Sequence, residues 1–391
     1  MKSKRLHKSE GYVFVIFMCC VLQTILTAPL PDLHGLSNCD LYITADNTTQ
    51  ELKCSIQTGQ VLDYRRVRGW TALQSTGTFS VHITCNGGSL HMPWPFKAKH
   101  VVALQVNGCK LFGFLSEMTQ QQSVEDELRT LMLYKTTIVI PFADMYALRN
   151  NLDRIPRDTD CGQVTLEKLV LRDVHYDLQM TPEDRDRMSP IVHNTSIGHD
   201  AALLPTKSPC VFPNLKYVDE SGSRKTGQYH LKLLPDYSVF PKLEVYNMSR
   251  NELSHIPDFF RYLHSDKYPS LRQLDFSNNI LHSFEFEIPK NVKTCTLEKV
   301  DLHNNRIAFI PKETTDTLQN IGTILVDLRE NPLRCTCELK DLRVYLEAQY
   351  RKSANMTRQL ISEVTCSLRS AFHGTMDQVS LLNSGFDKKC G

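Results

Sequence analysis

Four asparagines, Asn251, Asn279, Asn305 and Asn331, stand 28, 26 and 26 residues apart, and each sits near the end of the same short phrase. The first copy places Leu243, Tyr246, Met248, Asn251 and Leu253 in the pattern L-x-x-L-x-L-x-x-N-x-L. The second places Leu271, Leu274, Phe276, Asn279 and Leu281 in those slots, and the third Leu297, Val300, Leu302, Asn305 and Ile307. The fourth runs through Thr323, Val326, Leu328, Asn331 and Leu333. A unit this short cannot bury its own apolar edge, so the copies must stack on one another, and the stack needs caps at its ends.

Each slot has a physical task. The fourth and sixth positions point inward along a short strand while their neighbours point out. The asparagine amide serves backbone groups that the following turn leaves unpaired. Three copies close on Ile256, Phe284 and Ile310, and Pro257 and Pro311 then send the chain off the strand.

After the fourth copy, Asn331-Pro332-Leu333-Arg334-Cys335-Thr336-Cys337-Glu338-Leu339 leads into an amphipathic stretch, Leu342 to Tyr350, with Cys366 and Cys390 beyond it. This resembles the cysteine-flanked C-terminal cap of extracellular leucine-rich-repeat proteins, the group of Toll-type receptors and Slit-type guidance proteins. The resemblance implies an α/β solenoid with a curved, parallel concave sheet and disulfide-bonded terminal caps. It also implies the bridges Cys335–Cys366 and Cys337–Cys390. The chain departs from the pattern at Tyr345, where the family usually has tryptophan. Loss of Cys337 is expected to impair secretion, a native bridge in a small secreted module being worth about 2–5 kcal/mol.

Lys2, Lys4, Arg5 and Lys8 precede an apolar run from Tyr12 to Ala28, the layout of a secretory signal peptide. The reading favours cleavage; an uncleaved signal-anchor is the alternative, which would make the protein a membrane-tethered receptor without its own signalling domain. No hydrophobic tail follows the cap, so no C-terminal span or lipid anchor is expected. Of thirteen cysteines, Cys19 and Cys20 lie in the leader, and four N-x-S/T sequons follow it, at Asn47, Asn194, Asn247 and Asn355. Both features belong to an oxidising, extracellular compartment. The formal charge of +2 falls to −1 once residues 1–28 are removed, so charge gives a nucleic-acid partner no support.

Towards the N-terminus the pattern fades. Residues 29–96 read as an irregular cysteine-containing cap, with Cys39 and Cys54 closing a loop and a strand candidate at Phe79, Val81 and Ile83. The repeats are placed at 97–330. Val101, Leu104, Val106, Cys109 and Leu111 fit the phrase with cysteine in the asparagine slot, and Cys109 is either a buried thiol or half of a bridge. Two frames then compete, Leu128, Leu131, Leu133 and Ile138 against Asn150, Leu152, Ile155 and Pro156. Leu166, Leu169, Leu171 and Tyr176 resume the pattern; Leu215 and Val218 start another copy, weakened by Glu220 in an inward slot. Seven to nine repeats are expected. The period breaks over 177–211, an insertion with a helix start at Thr181-Pro182-Glu183-Asp184 and a bridge Cys161–Cys210 that would tie it. It is either a solvated, glycosylated loop or a ligand-contacting one. The C-terminal cap is 331–391. Seven cysteines lie between the leader and this cap, an odd number. At least one is therefore free or joined to a second chain in a disulfide-linked dimer, and Cys295 is the first candidate.

No catalytic pattern is present: no H-E-x-x-H, no G-x-S-x-G, no phosphate loop and no C-x-x-C pair. The sequence points to neither a cofactor nor a metal site, and an enzyme is not expected. What a solenoid offers is its concave sheet. There Asp275, Asp301 and Asp327 form one column, flanked by Lys299, His303 and Arg329. These six residues are the candidate ligand contacts for an extracellular protein or glycan; the competing reading takes the aspartates as consensus of the repeat. A matrix spacer is the alternative function. Asn247 lies in the same face, and its expected glycan would displace binding towards the C-terminal rungs or the 177–211 loop.

Overall fold

The computed structural model describes residues 36–43, 49–75, 77–117, 125–144, 163–183, 212–223, 239–257, 260, 268–285, 296–369 and 376–383. The leader, the sequons at Asn47 and Asn194, Cys161, Cys210, Cys295 and Cys390, the frame around Asn150 and most of the 177–211 insertion lie outside them.

The chain winds as a leucine-rich-repeat solenoid, and its turns are made in one way. A left-handed residue precedes the asparagine slot in successive rungs: Gly87, Gly108, Lys135, Asp173, Gly222, Arg250, Asn278, Asn304 and Glu330, with φ between 48° and 82°. At Gly222 an added Cβ would stand 2.1 Å from Asp173 Oδ1 of the preceding rung, so this turn needs glycine for space as well as for φ.

Eleven strands form the principal sheet among the described residues. The first, β1 (Cys39–Ile43), is antiparallel to β2 (Thr49–Gln57). From β2 onward the order is parallel: β4 (Thr78–Asn86), β6 (Val101–Asn107), β8 (Thr130–Tyr134), β10 (Lys168–Arg172) and β12 (Tyr217–Asp219). It continues through β13 (Val245–Asn247), β14 (Gln273–Asp275), β15 (Lys299–Asp301) and β16 (Leu325–Asp327).

That makes ten parallel strands, more than the expected seven to nine. The difference lies in residues 29–96. They were expected to be irregular, yet β2 and β4 pair in parallel over nine residues and extend the same sheet. Leu52, Cys54 and Ile56 of β2 and Val81 and Ile83 of β4 are buried in the common core. Cys109 is half of a bridge, joined to Cys85 on the neighbouring rung with S–S 2.03 Å, and Cys39 is joined to Cys54. The frame through Leu128, Leu131, Leu133 and Ile138 is the one that lines the core.

A second parallel sheet backs the N-terminal rungs: β3 (Val61–Asp63), β5 (Ser89–His91), β7 (Lys110–Phe112), β9 (Thr137–Pro141) and β11 (His175–Gln179). Residues 177–179, expected to open the insertion, therefore belong to β11; Pro182 and Glu183 beyond it are helical. Helix α1 (Tyr64–Ala72) starts at an Asp63 cap, buries Tyr64, Val67 and Trp70, and is tied to the next rungs by the Arg68–Glu117 ion pair at 3.0 Å. Glu220, the residue that weakened the copy starting at Leu215, is buried directly after β12 and accepts a hydrogen bond from Tyr246 Oη at 2.8 Å.

Among the described residues β11 is the last strand of the second sheet. Phe212, Phe240 and Tyr268 stack from rung to rung at 5.5 and 5.8 Å, and α2 (Lys312–Ile321) follows Pro311 on the convex side. The C-terminal end is closed by α3 (Lys340–Lys352), α4 (Asn355–Ser362) and the hairpin β17 (Thr365–Arg369) and β18 (Met376–Ser380). Cys335 is bridged to Cys366 at 2.01 Å. Cys337 is disulfide-bonded; Cys390, its expected partner, is outside the described residues. Tyr345 is buried and donates its hydroxyl to the Ile324 carbonyl, filling the place of the family's tryptophan.

Candidate functional site

Strand register sets the concave face. One column crosses the ten parallel strands: Lys53, His82, Gln105, Met132, Val170, Asp219, Asn247, Asp275, Asp301 and Asp327. Its second half is a ladder of one repeated hydrogen bond. Asp219, Asn247, Asp275, Asp301 and Asp327 each turn Oδ1 back to accept the backbone N–H two residues on, at 2.8–3.2 Å. This is the side-chain turn that Asp and Asn make more readily than other residues, and it caps the strand before the left-handed bend. The aspartates thus have a structural task, which sequence spacing did not reveal.

The last two rungs bring five of the six candidate residues together. Asp301 accepts from Lys299 Nζ at 2.9 Å and from His303 Nδ1 at 2.7 Å. Because a carboxylate only accepts, His303 Nδ1 carries a proton. Its Nε2 lies 3.2 Å from Asn278 Nδ2, and Asn304 Nδ2 donates to Asn278 Oδ1 at 2.8 Å, so the ring is held from both ends. Arg329 meets Asp327 in a fork, Nε to Oδ1 at 2.9 Å and Nη2 to Oδ2 at 2.8 Å, and reaches Glu363 of the cap with Nη1 at 3.0 Å. Burial alone would raise the Asp301 carboxyl, but the bonds from Lys299 and His303 outweigh it and hold that group below the ordinary range. Asp275, one rung away, makes its turn to Ser277 but joins neither ion-paired group.

Asp301, His303 and Asp327 offer ligand atoms within 4.8 Å of one another. Lys299 and Arg329 already face those carboxylates, so the charge a cation would find there is compensated.

A second group was missed from sequence because the register between β8 and β12 was unsettled. Arg172 donates to Asp219 at 2.5 Å with its guanidinium 5.9 Å from the Tyr134 ring centre, and Lys168 Nζ stands 5.4 Å over Tyr217. Between β8 and β12 the left-handed position before the slot is Lys135, Asp173 and Gly222, and Gly222 alone was an available signal for that register.

Of the two sequons inside the described residues, Asn355 is exposed at the first position of α4, and Asn247 is half-buried on β13.

No protein-family profile matches the chain. Trophoblast glycoprotein of Macaca fascicularis is 34% identical over 91 residues, 22% of this chain and 21% of that protein. The match thus spans about a fifth of the length of the curated relative. Among solved structures, human 5T4 (Wnt-activated inhibitory factor 1, trophoblast glycoprotein) superposes with TM-score 0.44 at 18% identity, covering 89% of this chain and 95% of that one. A complex of Latrophilin 3, Unc5D and the leucine-rich-repeat protein FLRT2 gives TM-score 0.35 at 16% identity, over 75% and 80%.

Proposed function

We propose that the chain is an extracellular, non-catalytic recognition protein that binds a protein ligand on the C-terminal rungs of its concave face. The observation that carries this reading is the fixed group of Lys299, Asp301, His303, Asp327 and Arg329. Each cation is held by a carboxylate whose own position is set by a backbone turn. Side chains already ordered lose little freedom on binding, and mixed charges in fixed places select a partner. Asp275 stands at the border of this surface.

The compartment reading rests on the apolar leader, the sequons and the bridges that join Cys39 to Cys54, Cys85 to Cys109 and Cys335 to Cys366. Among the described residues no helix is long and apolar enough to cross a membrane. Sequencing the mature N-terminus distinguishes a cleaved leader from an anchor.

The test of recognition uses Lys299→Ala combined with His303→Ala, which spares the turn-forming aspartates. A screen of the secreted chain against extracellular proteins identifies the ligand, and the double variant should bind it about tenfold or more weakly while remaining folded by circular dichroism. A variant that binds as well as the parent sinks the assignment of these rungs. A chain that captures no extracellular protein favours the spacer reading.

A further inference from the structure

The ladder of the concave column has one rung of different chemistry. Asp219, Asp275, Asp301 and Asp327 use a carboxylate to cap the turn, whereas the rung between Asp219 and Asp275 uses the amide of Asn247. The turn needs only one oxygen. Asn247 Oδ1 accepts from the Ser249 N–H at 2.8 Å, and Nδ2 has no hydrogen-bond partner among the described residues. Serine two places on is the repeat's own habit, as at Ser221 and Ser277, so exchanging the rung's aspartate for asparagine creates Asn247-Met248-Ser249, an acceptor for N-linked sugar.

We infer that Asn247 carries an N-linked glycan that stands on the concave face and bounds the recognition surface on its N-terminal side. The two functional atoms of this side chain then divide their work, Oδ1 for the fold and Nδ2 for the sugar. Attachment forms a bond from Nδ2 to the anomeric carbon of an oligosaccharide. It breaks that carbon's bond to the pyrophosphate of a lipid-linked donor, which leaves with the electron pair while Nδ2 gives up a proton. Oδ1 keeps its lone pairs, so the capped turn survives modification. Register places Asp219 and Asp275 directly beside Asn247, and the sugar covers them. Asp301, Asp327 and their cations lie beyond Asp275 and stay open. A ligand is thereby confined to the last two rungs and the cap.

The inference rests on the extracellular reading above, and Asn355 separates the two. It is exposed at the start of α4, where nothing restricts a sugar. The full chain is expressed through a eukaryotic secretory pathway and digested with trypsin, which releases Leu243–Arg250 and Ser353–Arg358 with one sequon each. Glycan on the majority of both peptides supports the inference. Sugar on Asn355 with Leu243–Arg250 recovered bare overturns it and leaves the compartment reading intact. Sugar on neither overturns both. The division of labour has its own readout in two variants that both lack the sequon. Asn247→Asp keeps the turn-capping oxygen and should melt above Asn247→Gln, whose longer side chain takes the oxygen away from the Ser249 amide. Equal melting of the two variants refutes that division.

Discussion

The two halves of the solenoid solve one problem in different ways. Every rung must turn sharply after its concave strand, and the turn leaves buried amides and carbonyls that need partners. In the N-terminal half a second sheet supplies them: the Thr137 N–H donates to the Cys109 carbonyl and the His175 N–H to that of Thr136, both at 2.9 Å, as β9 and β11 begin. In the C-terminal half no such sheet occurs among the described residues, and the asparagines do the work. Asn279 Oδ1 accepts from the N–H groups of Asn251 and Leu253, while Nδ2 donates to the carbonyls of Met248 and Phe276. Asn305 and Asn331 do the same in the next two rungs, with Oδ1 accepting from the Leu281 and Ile307 N–H groups respectively. Between the two regimes Ser223 occupies the slot and donates to the Leu171 carbonyl. Where backbone partners exist, the slot tolerates Cys109, Thr136 or Val174; where they do not, asparagine supplies a carbonyl acceptor and a two-proton amide donor on one short side chain.

The largest expected effect contrasts the two slots directly. Asn279→Ala strands two buried amides, and at about 1–3 kcal/mol per orphaned group the loss is roughly 2–6 kcal/mol. Thr136→Ala removes a single bond to the Tyr134 carbonyl and should cost about 1 kcal/mol. Thermal unfolding of both variants makes the comparison, and equal losses would break it. Next comes the bridge that links β4 to the loop after β6: replacing Cys85 and Cys109 together by serine should cost about 2–4 kcal/mol in denaturant titration. A loss near zero would mean the paired sheets alone hold these rungs.

Smaller effects sharpen the concave ladder. Asp275→Ala removes a turn cap and should cost about 1 kcal/mol, whereas Asp275→Asn retains Oδ1 and should stay within about 0.5 kcal/mol of the parent. Equal destabilisation by both would show that charge, rather than the turn, matters there. The smallest effect is a slope with pH. Asp219 is buried and Asp301 half-buried, which alone would raise them, yet hydrogen bonds and cations hold both below the ordinary range. Groups lowered on folding contribute stability above their unfolded value near pH 4, and that contribution is lost as the pH falls through the folded value. Melting temperature should therefore drop below about pH 4, and Asp219→Asn combined with Asp301→Asn should flatten that drop. Within this column the slope belongs to the C-terminal half, because the column carries no carboxylate from Lys53 to Val170.

The same contrast explains what the sequence disclosed. The C-terminal copies were legible because asparagine is a rare, fixed letter in an otherwise degenerate apolar phrase. The rungs at β2 and β4 were not, since their slots rely on backbone partners and leave no characteristic side chain; their alternating residues, Phe79, Val81 and Ile83, read only as a strand. Glu220 looked like a fault because the hydroxyl that satisfies it, Tyr246 Oη, comes from the next repeat. The concave aspartates were visible as a column, but their bond to the amide two residues on depends on a bend that spacing does not encode.

The asparagine ladder also has a direction in time. The amides of Leu253, Leu281 and Ile307 are closed by oxygens on residues 26, 24 and 24 places further along the chain. At about 5–20 residues per second, each turn leaving the ribosome waits about 1–5 s for the residue that completes it. The last turn has no successor. There the Leu333 N–H donates to the Asn331 carbonyl at 2.8 Å, and the cap closes over it, with the Ser367 N–H donating to the Leu333 carbonyl at 2.7 Å beside the Cys335–Cys366 bridge. Translation thus leaves one unfinished rung at the growing end at every moment, and closure of the cap is what ends that exposure.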